Sequence, residues 1–338
     1  MDKHALQTKR AEEQLNTDLE GVYKKARKNM RCLYPECSAP PINSHIIARE
    51  TLRLIAEESH VLTWLPLHIS TWEMAKDLNA GVPWGQRYEK PVPIGISEAN
   101  KATNLLFCES HDQSLFSPLE NTALTLEPEQ VLLLAYRALG SMNFRRLGIS
   151  AIDAVIEVAK KHNYYHALSE PERYACLQRF FANDVVGEVY RQHEELRVAR
   201  DYNQLGYSVY SVNMPPCIAA TYGFMSTHGD EAQAIVNGTQ AMSADNFMSF
   251  TFLPHKTLNQ SICVISWLRG SQRAQRFLLL SGINELSEKE QRDLLLSLAF
   301  RSPTIYISPT WWRSLREEKR EEYQQIHSNA NRKYAALV

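Results

Sequence analysis

Apolar residues recur every three to four positions over long stretches of the first 200 residues. This spacing is typical of amphipathic helices, which bury one apolar face. The predicted helices cover residues 2–29, 49–60, 129–140, 150–162, 170–183 and 184–202. The first and the last of these are highly charged, whereas 129–140 carries the strongest apolar face.

The pattern changes near residue 206, where short runs of β-branched and aromatic residues are bounded by turn residues. Such runs predict strands. The predicted strands cover residues 207–212, 217–222, 247–253, 261–267 and 304–308, with 254–260 as a hairpin loop. Helices are expected again at 271–281, at 287–300 and from Trp311 onward to about 325. The chain is therefore assigned to the mixed α+β class, with antiparallel strands in its C-terminal part.

Residues 61–102 show neither the helical spacing nor the strand-like runs, and they are rich in proline and glycine. They also contain Trp64, Trp72, Trp84 and Tyr88, aromatic residues that a solvated linker would lack. We expect a binding or capping loop inside an N-terminal module of residues 31–122. That module would follow an N-terminal helix (1–30) and precede a C-terminal α+β domain (123–338), with a boundary near 122–128.

Composition and charge limit the function classes. The 338 residues are 44% hydrophobic and 22% charged, with a formal net charge of -1. These values are ordinary for a soluble globular protein and exclude a global basic field. The N-terminus lacks the apolar core of a signal peptide, and no apolar run approaches the roughly 20 residues of a membrane helix. We therefore expect a cytoplasmic protein without a membrane partner.

Three of the six cysteines fall in two short motifs, Cys32-Leu-Tyr-Pro-Glu-Cys37 and Cys108-Glu-Ser-His111. The spacing favours metal ligands over disulfides. Three thiolates and an imidazole suit a closed tetrahedral zinc site. Two buried free thiols and an unrelated Cys–His pair remain the alternative. Cys176, Cys217 and Cys263 are interpreted as small buried apolar residues.

The layout Cys-x₄-Cys … Ser-His-Ile-Ile … Asn-Leu-x-x-Cys-x-x-His-Asp resembles the HNH (ββα-metal) nucleases over residues 30–120. The resemblance implies a ββα-metal, treble-clef zinc module. Its structural zinc (Zn²⁺) ligands would be Cys32, Cys37, Cys108 and His111.

The same resemblance implies three catalytic residues. His45 corresponds to the general base that activates water against a phosphodiester, a task that suits an imidazole. Asn104 corresponds to the residue that orients this base. Asp112 occupies the position of the final catalytic histidine, where a carboxylate could hold Mg²⁺ or Mn²⁺. Structural roles stay open for all three residues. His45 could be a core histidine bonded to the backbone, Asp112 could stabilise the helix dipole, and Asn104 could cap a helix or a turn.

A local basic patch precedes the first cysteine. It consists of Lys24, Lys25, Arg27, Lys28 and Arg31. These cations could contact nucleic-acid phosphates, or they could complement the dipole at the end of the N-terminal helix. The sequence does not decide between these roles.

The leading hypothesis is a metal-dependent endonuclease that hydrolyses DNA phosphodiester bonds. The DNA preference comes from the resemblance, and a restriction or anti-phage role comes from analogy. The C-terminal domain would sense the target, bind a protein partner or self-associate. Ser44 stands where the family has an acidic metal ligand. The absence of that ligand favours a second hypothesis, a non-catalytic zinc-stapled module that binds nucleic acid or protein. A third hypothesis is a protein-binding adaptor in which zinc is purely structural.

Overall fold

The computed structural model describes most of the chain. The described residues are 30–64, 90–99, 104–149, 185–226, 247–255 and 259–337, with 14, 17, 18, 21, 25, 28, 161 and 244. Residues 14, 17, 18, 21, 25 and 28 are helical, as the predicted N-terminal helix requires. The predicted helices at 150–162 and 170–183 lie outside the described residues, apart from helical Lys161.

The N-terminal half contributes short strands, two short helices and three longer helices. They are β1 (Asn43–Ser44), α1 (Arg49–Arg53), β2 (His60–Thr63), β3 (Val92–Gly95), α2 (Ile96–Ala99), β4 (Asn104–Leu105), α3 (Glu109–Glu120), α4 (Pro128–Ile149) and α5 (Val185–Ala199). α3 begins directly after Cys108, so the second cysteine motif lies at a helix start. The predicted helices at 129–140 and 184–202 correspond to α4 and α5.

The C-terminal half contains the long strands. After a 3₁₀ turn (Tyr202–Gln204) come β5 (Leu205–Val212), β6 (Ile218–Met225), β7 (Phe247–Pro254), β8 (Ser261–Leu268), α6 (Gln272–Ser281), α7 (Glu288–Arg301), β9 (Ile305–Ile307), α8 (Pro309–Ser314) and α9 (Glu317–Leu337). The mixed α+β class is confirmed, and the predicted strands and hairpin are found within a few residues of their expected bounds.

Seven strands form one antiparallel sheet in the order β3-β2-β9-β6-β7-β8-β5. All eight residues of β7 are buried, because helices cover both faces of the sheet. α4 packs on one face with α5 beside it, and α7 packs on the other face with α9 against it. A separate two-stranded pair joins β1 to β4.

The contact between α4 and the sheet is close. A Cβ atom added at Gly223 of β6 would lie 3.0 Å from Met142 Sδ and 3.1 Å from Leu139 Cδ2, both on α4. Glycine at this position therefore lets the helix approach the strand. The resulting apolar layer sets the distance of α4 from the sheet, and α3 also packs against α4.

Two sequence predictions around residue 60 are wrong. The predicted helix 49–60 ends at Arg53. It could not have reached residue 60, because Glu58 and Ser59 have φ angles of 47° and 63°, outside the right-handed helical region. Residues 60–63 and 92–95 are not irregular but form β2 and β3, and Leu62 pairs with Ile307 of β9. The sheet thus combines strands from both sides of the predicted boundary near 122–128. Trp72, Trp84 and Tyr88 lie outside the described residues.

The single helix predicted from Trp311 is also wrong, because two helices are present. α8 ends at Ser314, and Leu315 has an extended backbone (φ −72°, ψ 145°) before α9 begins at Glu317. The break lets Trp312 pack edge-on against Trp64 while α9 stacks His327 on the same indole, with ring centroids 4.1 Å apart. No helix in the described part of the chain is both long enough and apolar enough to span a membrane.

Candidate metal centre

Cys32, Cys37, Cys108 and His111 come together in one cluster, hereafter the Cys₃His site. Their sulfur and nitrogen atoms all lie within 4.8 Å of one another. His111 Nδ1 lies 3.4 Å from Cys32 Sγ and 3.2 Å from Cys108 Sγ, and the sulfur atoms of Cys37 and Cys108 are 3.9 Å apart. The sequence prediction that these four side chains converge is confirmed.

The spacing of these atoms fits a tetrahedral metal. Zinc bonds of about 2.3 Å to sulfur and about 2.0 Å to nitrogen imply ligand separations of roughly 3.5–3.8 Å around a tetrahedron. The three measured distances, from 3.2 to 3.9 Å, bracket that range. Soft sulfur donors with one imidazole also match zinc better than magnesium or calcium, which prefer oxygen. The four residues therefore form a metal site consistent with zinc.

Local backbone geometry explains how distant cysteines meet. The Cys37 N–H donates to the Tyr34 carbonyl and closes a tight turn, in which Glu36 has a φ of 60°. The Leu33 N–H donates to the Leu106 carbonyl at 2.7 Å, which holds this turn against the residues that precede α3. Pairing of β1 with β4 secures the same segment from its other end.

The two buried sulfur atoms differ in acidity. Burial raises the pKa of the Cys32 thiol to about 12, although a backbone N–H from Cys108 lies 3.2 Å from its Sγ. Cys108 has a lowered pKa, chiefly because the His111 backbone N–H donates to it at the start of α3. Binding of a dication would favour the thiolate of both residues.

The side chain of Tyr34 supports His111, and two residues of α5 in turn support Tyr34. The Tyr34 ring stacks on the His111 imidazole, with centroids 3.8 Å apart and planes within 8°. The Arg197 guanidinium lies 5.1 Å from the Tyr34 ring centroid and forms two hydrogen bonds to the buried Glu194 carboxylate, at 2.6 and 2.7 Å. The orientation of His111 is therefore coupled to a helix more than 70 residues away in sequence.

The candidate catalytic residues lie beside the Cys₃His site. His45 follows β1 directly and is half-buried, and Asp112 lies in the first turn of α3 with 8% of its surface exposed. The backbone of Asn104 in β4 pairs with Ser44. The side chain of Asn104 lies outside the described part of the structure, so its predicted role stays a prediction.

A group of polar side chains, hereafter the Arg137 cluster, connects these residues electrostatically. It comprises Ser44, His45, Asp112, Glu120 and Arg137. Burial, followed by the charges of Arg49 and Arg137, lowers the pKa of His45, and Glu120 opposes this shift. Burial raises the pKa of Asp112, and Arg137 and a hydrogen bond with Ser44 oppose that shift. His45 and Asp112 thus share two charged neighbours.

Asp112 and Ser44 also anchor local structure. The Ser44 hydroxyl accepts a hydrogen bond from the Phe107 N–H at 3.1 Å, which ties β1 to the start of α3. Asp112 Oδ1 is buried and has no hydrogen-bond partner among the described residues. A buried carboxylate oxygen without a partner is uncommon and can mark a functional position.

The predicted basic patch is only partly described. Lys25 and Lys28 are helical and exposed. Arg31 is exposed, and its Nη1 donates to the carbonyl oxygens of Lys28 and Met30 at 3.1 and 2.9 Å. Lys24 and Arg27 lie outside the described residues. These contacts show that Arg31 caps the preceding helix, and its predicted role in nucleic-acid binding stays a prediction.

Sequence reasoning missed Arg137 and Glu120. Arg137 Nη2 lies 2.6 Å from Glu120 Oε1, and the Arg137 side chain is only 4% exposed. The available signal was one arginine within the otherwise apolar run 131–139 of a predicted amphipathic helix. A charge on the buried face of a helix requires a partner, and buried ion pairs often lie near sites of function.

Among the described residues, the Cys₃His site is the one group of three or more His, Cys, Asp or Glu side chains that could hold a metal ion. Comparison of the chain with models of known protein families, with curated proteins and with solved structures finds no match.

Proposed function

We propose that the protein is a metal-dependent endonuclease that hydrolyses DNA phosphodiester bonds, with zinc held structurally in the Cys₃His site. The observation that carries the proposal is the placement of His45 directly after β1 and of Asp112 in the first turn of α3, which begins after the zinc-ligand candidate Cys108. The choice of DNA rests on the resemblance to HNH nucleases. A restriction or anti-phage role, and protein binding or self-association through the C-terminal part, stay predictions.

The topology around the site supports this proposal. An antiparallel pair, β1 with β4, leads through Cys108 into α3, which is a ββα arrangement. His45 follows the first strand of the pair and Asp112 lies in the first turn of the helix. Zinc at the Cys₃His site would fix this arrangement, because its ligands come from both the first cysteine motif and α3.

The surroundings of His45 suit a general base. Burial and two nearby arginines lower its pKa, so the imidazole is neutral at neutral pH and can accept a proton from water. His45 is half-buried, so part of the residue is exposed to solvent. Arg49, an exposed residue at the start of α1, adds a positive charge near the position that a phosphate would occupy in this mechanism.

Asp112 would hold the catalytic Mg²⁺ or Mn²⁺ through its unpartnered oxygen. Such an ion would stabilise charge on the phosphoryl oxygens and on the leaving alkoxide. A hard dication binds through one or two carboxylates and takes its other ligands from water and phosphate. Glu120 offsets part of the repulsion that Arg137 would exert on the ion.

The direct test is cleavage of supercoiled plasmid in Mg²⁺ or Mn²⁺ by wild type, His45→Ala and His60→Ala. His60 is an exposed histidine on β2 and serves as the matched control. We expect His45→Ala to lose about 100-fold or more in cleavage rate, because general-base catalysis contributes roughly that much. His60→Ala should cleave like wild type. Equal cleavage by wild type and His45→Ala, at equal zinc content, would exclude His45 as the base.

A second candidate is a non-catalytic zinc-stapled module that binds nucleic acid. The observation that favours it is the closeness of Arg137 to Asp112, because an internal cation can take the place of a metal ion beside a buried carboxylate. This candidate predicts nucleic-acid binding that weakens steeply with salt, and no strand cleavage by wild type in either metal. Filter binding at several salt concentrations, run beside the plasmid assay, separates the two candidates.

A further inference from the structure

A cavity of about 150 Å³ lies behind the candidate catalytic residues. It is enclosed by the segment that follows His45, the end of α3, the buried side of α4 and one face of the sheet at β6 and β7. The Cys₃His ligands do not line it. The cavity is therefore separate from the metal centre.

The walls of the cavity are largely apolar with a few polar groups. The apolar wall comprises Ile46, Ile47, Leu119, Leu124, Leu134 and Leu253. The polar part of the lining comes from Thr51, Arg137, Thr221, Thr251 and His255. Small-molecule sites commonly combine an apolar surface with a few polar groups in this way.

Arg137 brings a buried positive charge to the lining of this cavity. Its side chain is 4% exposed, its Nη2 pairs with Glu120, and its guanidinium carbon lies 3.8 Å from the Phe116 ring centroid. Its Nε is buried and has no hydrogen-bond partner in the described part of the chain. A carboxylate bound against Arg137 would therefore meet a side chain whose donors are not all satisfied.

We propose that this cavity binds a small apolar carboxylate, with the carboxylate at Arg137 and the apolar body against the leucine and isoleucine side chains. An apolar cavity of about 150 Å³ accommodates a benzene ring, which sets the size of the ligand. A carboxylate accepts charge-assisted hydrogen bonds from a guanidinium, and these are stronger than neutral ones.

The site would influence the neighbouring residues without depending on nuclease activity. A bound ligand contacts Ile46 and Ile47, the two residues after His45, and its charge adds to that of Glu120 around Arg137. Binding can be measured on the full chain in the absence of nucleic acid. Failure of the endonuclease proposal would leave this inference intact.

The experiment titrates the zinc-loaded full chain with benzoate and with benzamide, its neutral analogue, by ligand-observed NMR. We expect benzoate to bind with a Kd on the order of 1 mM, since the affinity of a ligand is limited by its small number of heavy atoms. Benzamide should bind about tenfold more weakly, because it lacks the charge that Arg137 recognises. Equal affinity for both probes, or no binding of benzoate, would overturn the proposal.

Two variants locate the binding. Arg137→Met should remove the preference for benzoate over benzamide. Ala48→Leu should block both probes, because Ala48 lines the cavity and is half-buried. Ala56→Leu is its matched control, because Ala56 is equally half-buried but does not line the cavity. If Arg137→Met does not fold, Ala48→Leu decides alone, and unchanged benzoate binding by Ala48→Leu refutes the site.

Discussion

At the scale of single residues, Cys108 has several structural roles at once. It is the N-cap of α3, its N–H lies 3.2 Å from Cys32 Sγ, and its own Sγ lies 3.2 Å from His111 Nδ1. Any change at this side chain therefore alters the Cys₃His site and the start of α3 together. The other described cysteines, Cys217 and Cys263, are buried in the sheet region instead.

We predict that Cys108→Ser abolishes zinc binding and lowers the free energy of unfolding by about 3 kcal/mol or more, because structural zinc contributes directly to folding. Metal analysis of purified protein and denaturant unfolding provide the two measurements. Cys217→Ser is the control, since it also changes a buried thiol to a hydroxyl but lies outside the site. Full zinc content in Cys108→Ser, or loss of zinc from both variants, would contradict the assignment.

We predict that two buried histidines make the free energy of unfolding depend on pH. Burial lowers the pKa of His193 and of His327 from 6.5 to about 4, and each Nδ1 lies within 3.0 Å of a backbone carbonyl oxygen. Between these pH values the unfolded chain takes up protons that the folded chain does not. Stability that is fully present above pH 6.5 is therefore lost as the pH falls toward 4, by up to about 3 kcal/mol for each histidine.

Denaturant unfolding of wild type and His327→Gln at pH 7, 6 and 5 tests this dependence. Glutamine can still donate to the Phe300 carbonyl but does not titrate, so the variant should lose less stability on acidification than wild type does. Zinc release at low pH would affect both proteins alike, so it cancels when their losses of stability are compared. The same pH dependence in both proteins would show that His327 takes up its proton in the folded state.

The zinc ligands could be predicted because each pair is local, with spacings of five and three residues and a turn or a helix start around it. The Arg137 cluster could not. Arg137 meets Glu120 across 17 positions and acts on His45 across 92, and these pairings depend on how α4 packs against α3. Periodicity identifies the buried face of a helix but does not specify the residue opposite a given position on it.

At the scale of elements, the pairing of β5 with β8 depends on one glycine. Gly206 lies opposite Trp267, and a Cβ atom there would stand 2.4 Å from the indole Nε1. The indole is rigid and 8% exposed, so it has little room to move.

We predict that Gly206→Ala lowers the free energy of unfolding by about 1–3 kcal/mol, as overpacking of a buried contact does. Denaturant unfolding followed by tryptophan fluorescence gives the measurement. Gly21→Ala is the control, because Gly21 is helical and has no heavy atom within 4 Å of an added Cβ. That control should be neutral or slightly stabilising. An unchanged stability in Gly206→Ala would mean that Trp267 can rotate away.

Strands were predicted correctly where the strand they pair with is close in sequence. The strands β7 and β8 form a hairpin with alternating and aromatic-rich residues, and both were predicted. β2 was missed because it is short and two of its contacts are distant in sequence: Leu62 pairs with Ile307 of β9, and the Thr63 hydroxyl donates to the Ile305 carbonyl across 242 positions. The break between α8 and α9 was missed because Trp64, which packs against both, comes from the predicted irregular stretch.

At the scale of the whole molecule, the sheet joins the two parts of the chain. β2 lies between β3 and β9, so removal of the N-terminal part would expose β9 as a new edge strand and uncover its side chains. Trp64, 2% exposed, would leave a gap between Phe300, Trp312 and His327.

We predict that a chain truncated to residues 123–338 does not form a stable monomer, because it lacks β2, β3 and Trp64. Size-exclusion chromatography and circular dichroism of the truncated chain test this. The full chain with the matched substitution Trp64→Phe is the comparison, since it keeps the strands and most of the ring contacts and should remain monomeric. A cooperative thermal transition in the truncated chain would show that the C-terminal part folds alone.

The position of β2 between β3 and β9 also has a consequence for synthesis of the protein. A ribosome delivers residues 60–63 long before residues 305–307, with 242 positions between Thr63 and Ile305. At translation speeds of about 5–20 residues per second, β2 waits roughly 10–50 s for β9, and the edge of β2 that will pair with β9 stays unpaired during that time. The nascent chain therefore has to shield that edge, with its own residues or a chaperone, until residues 305–307 have emerged.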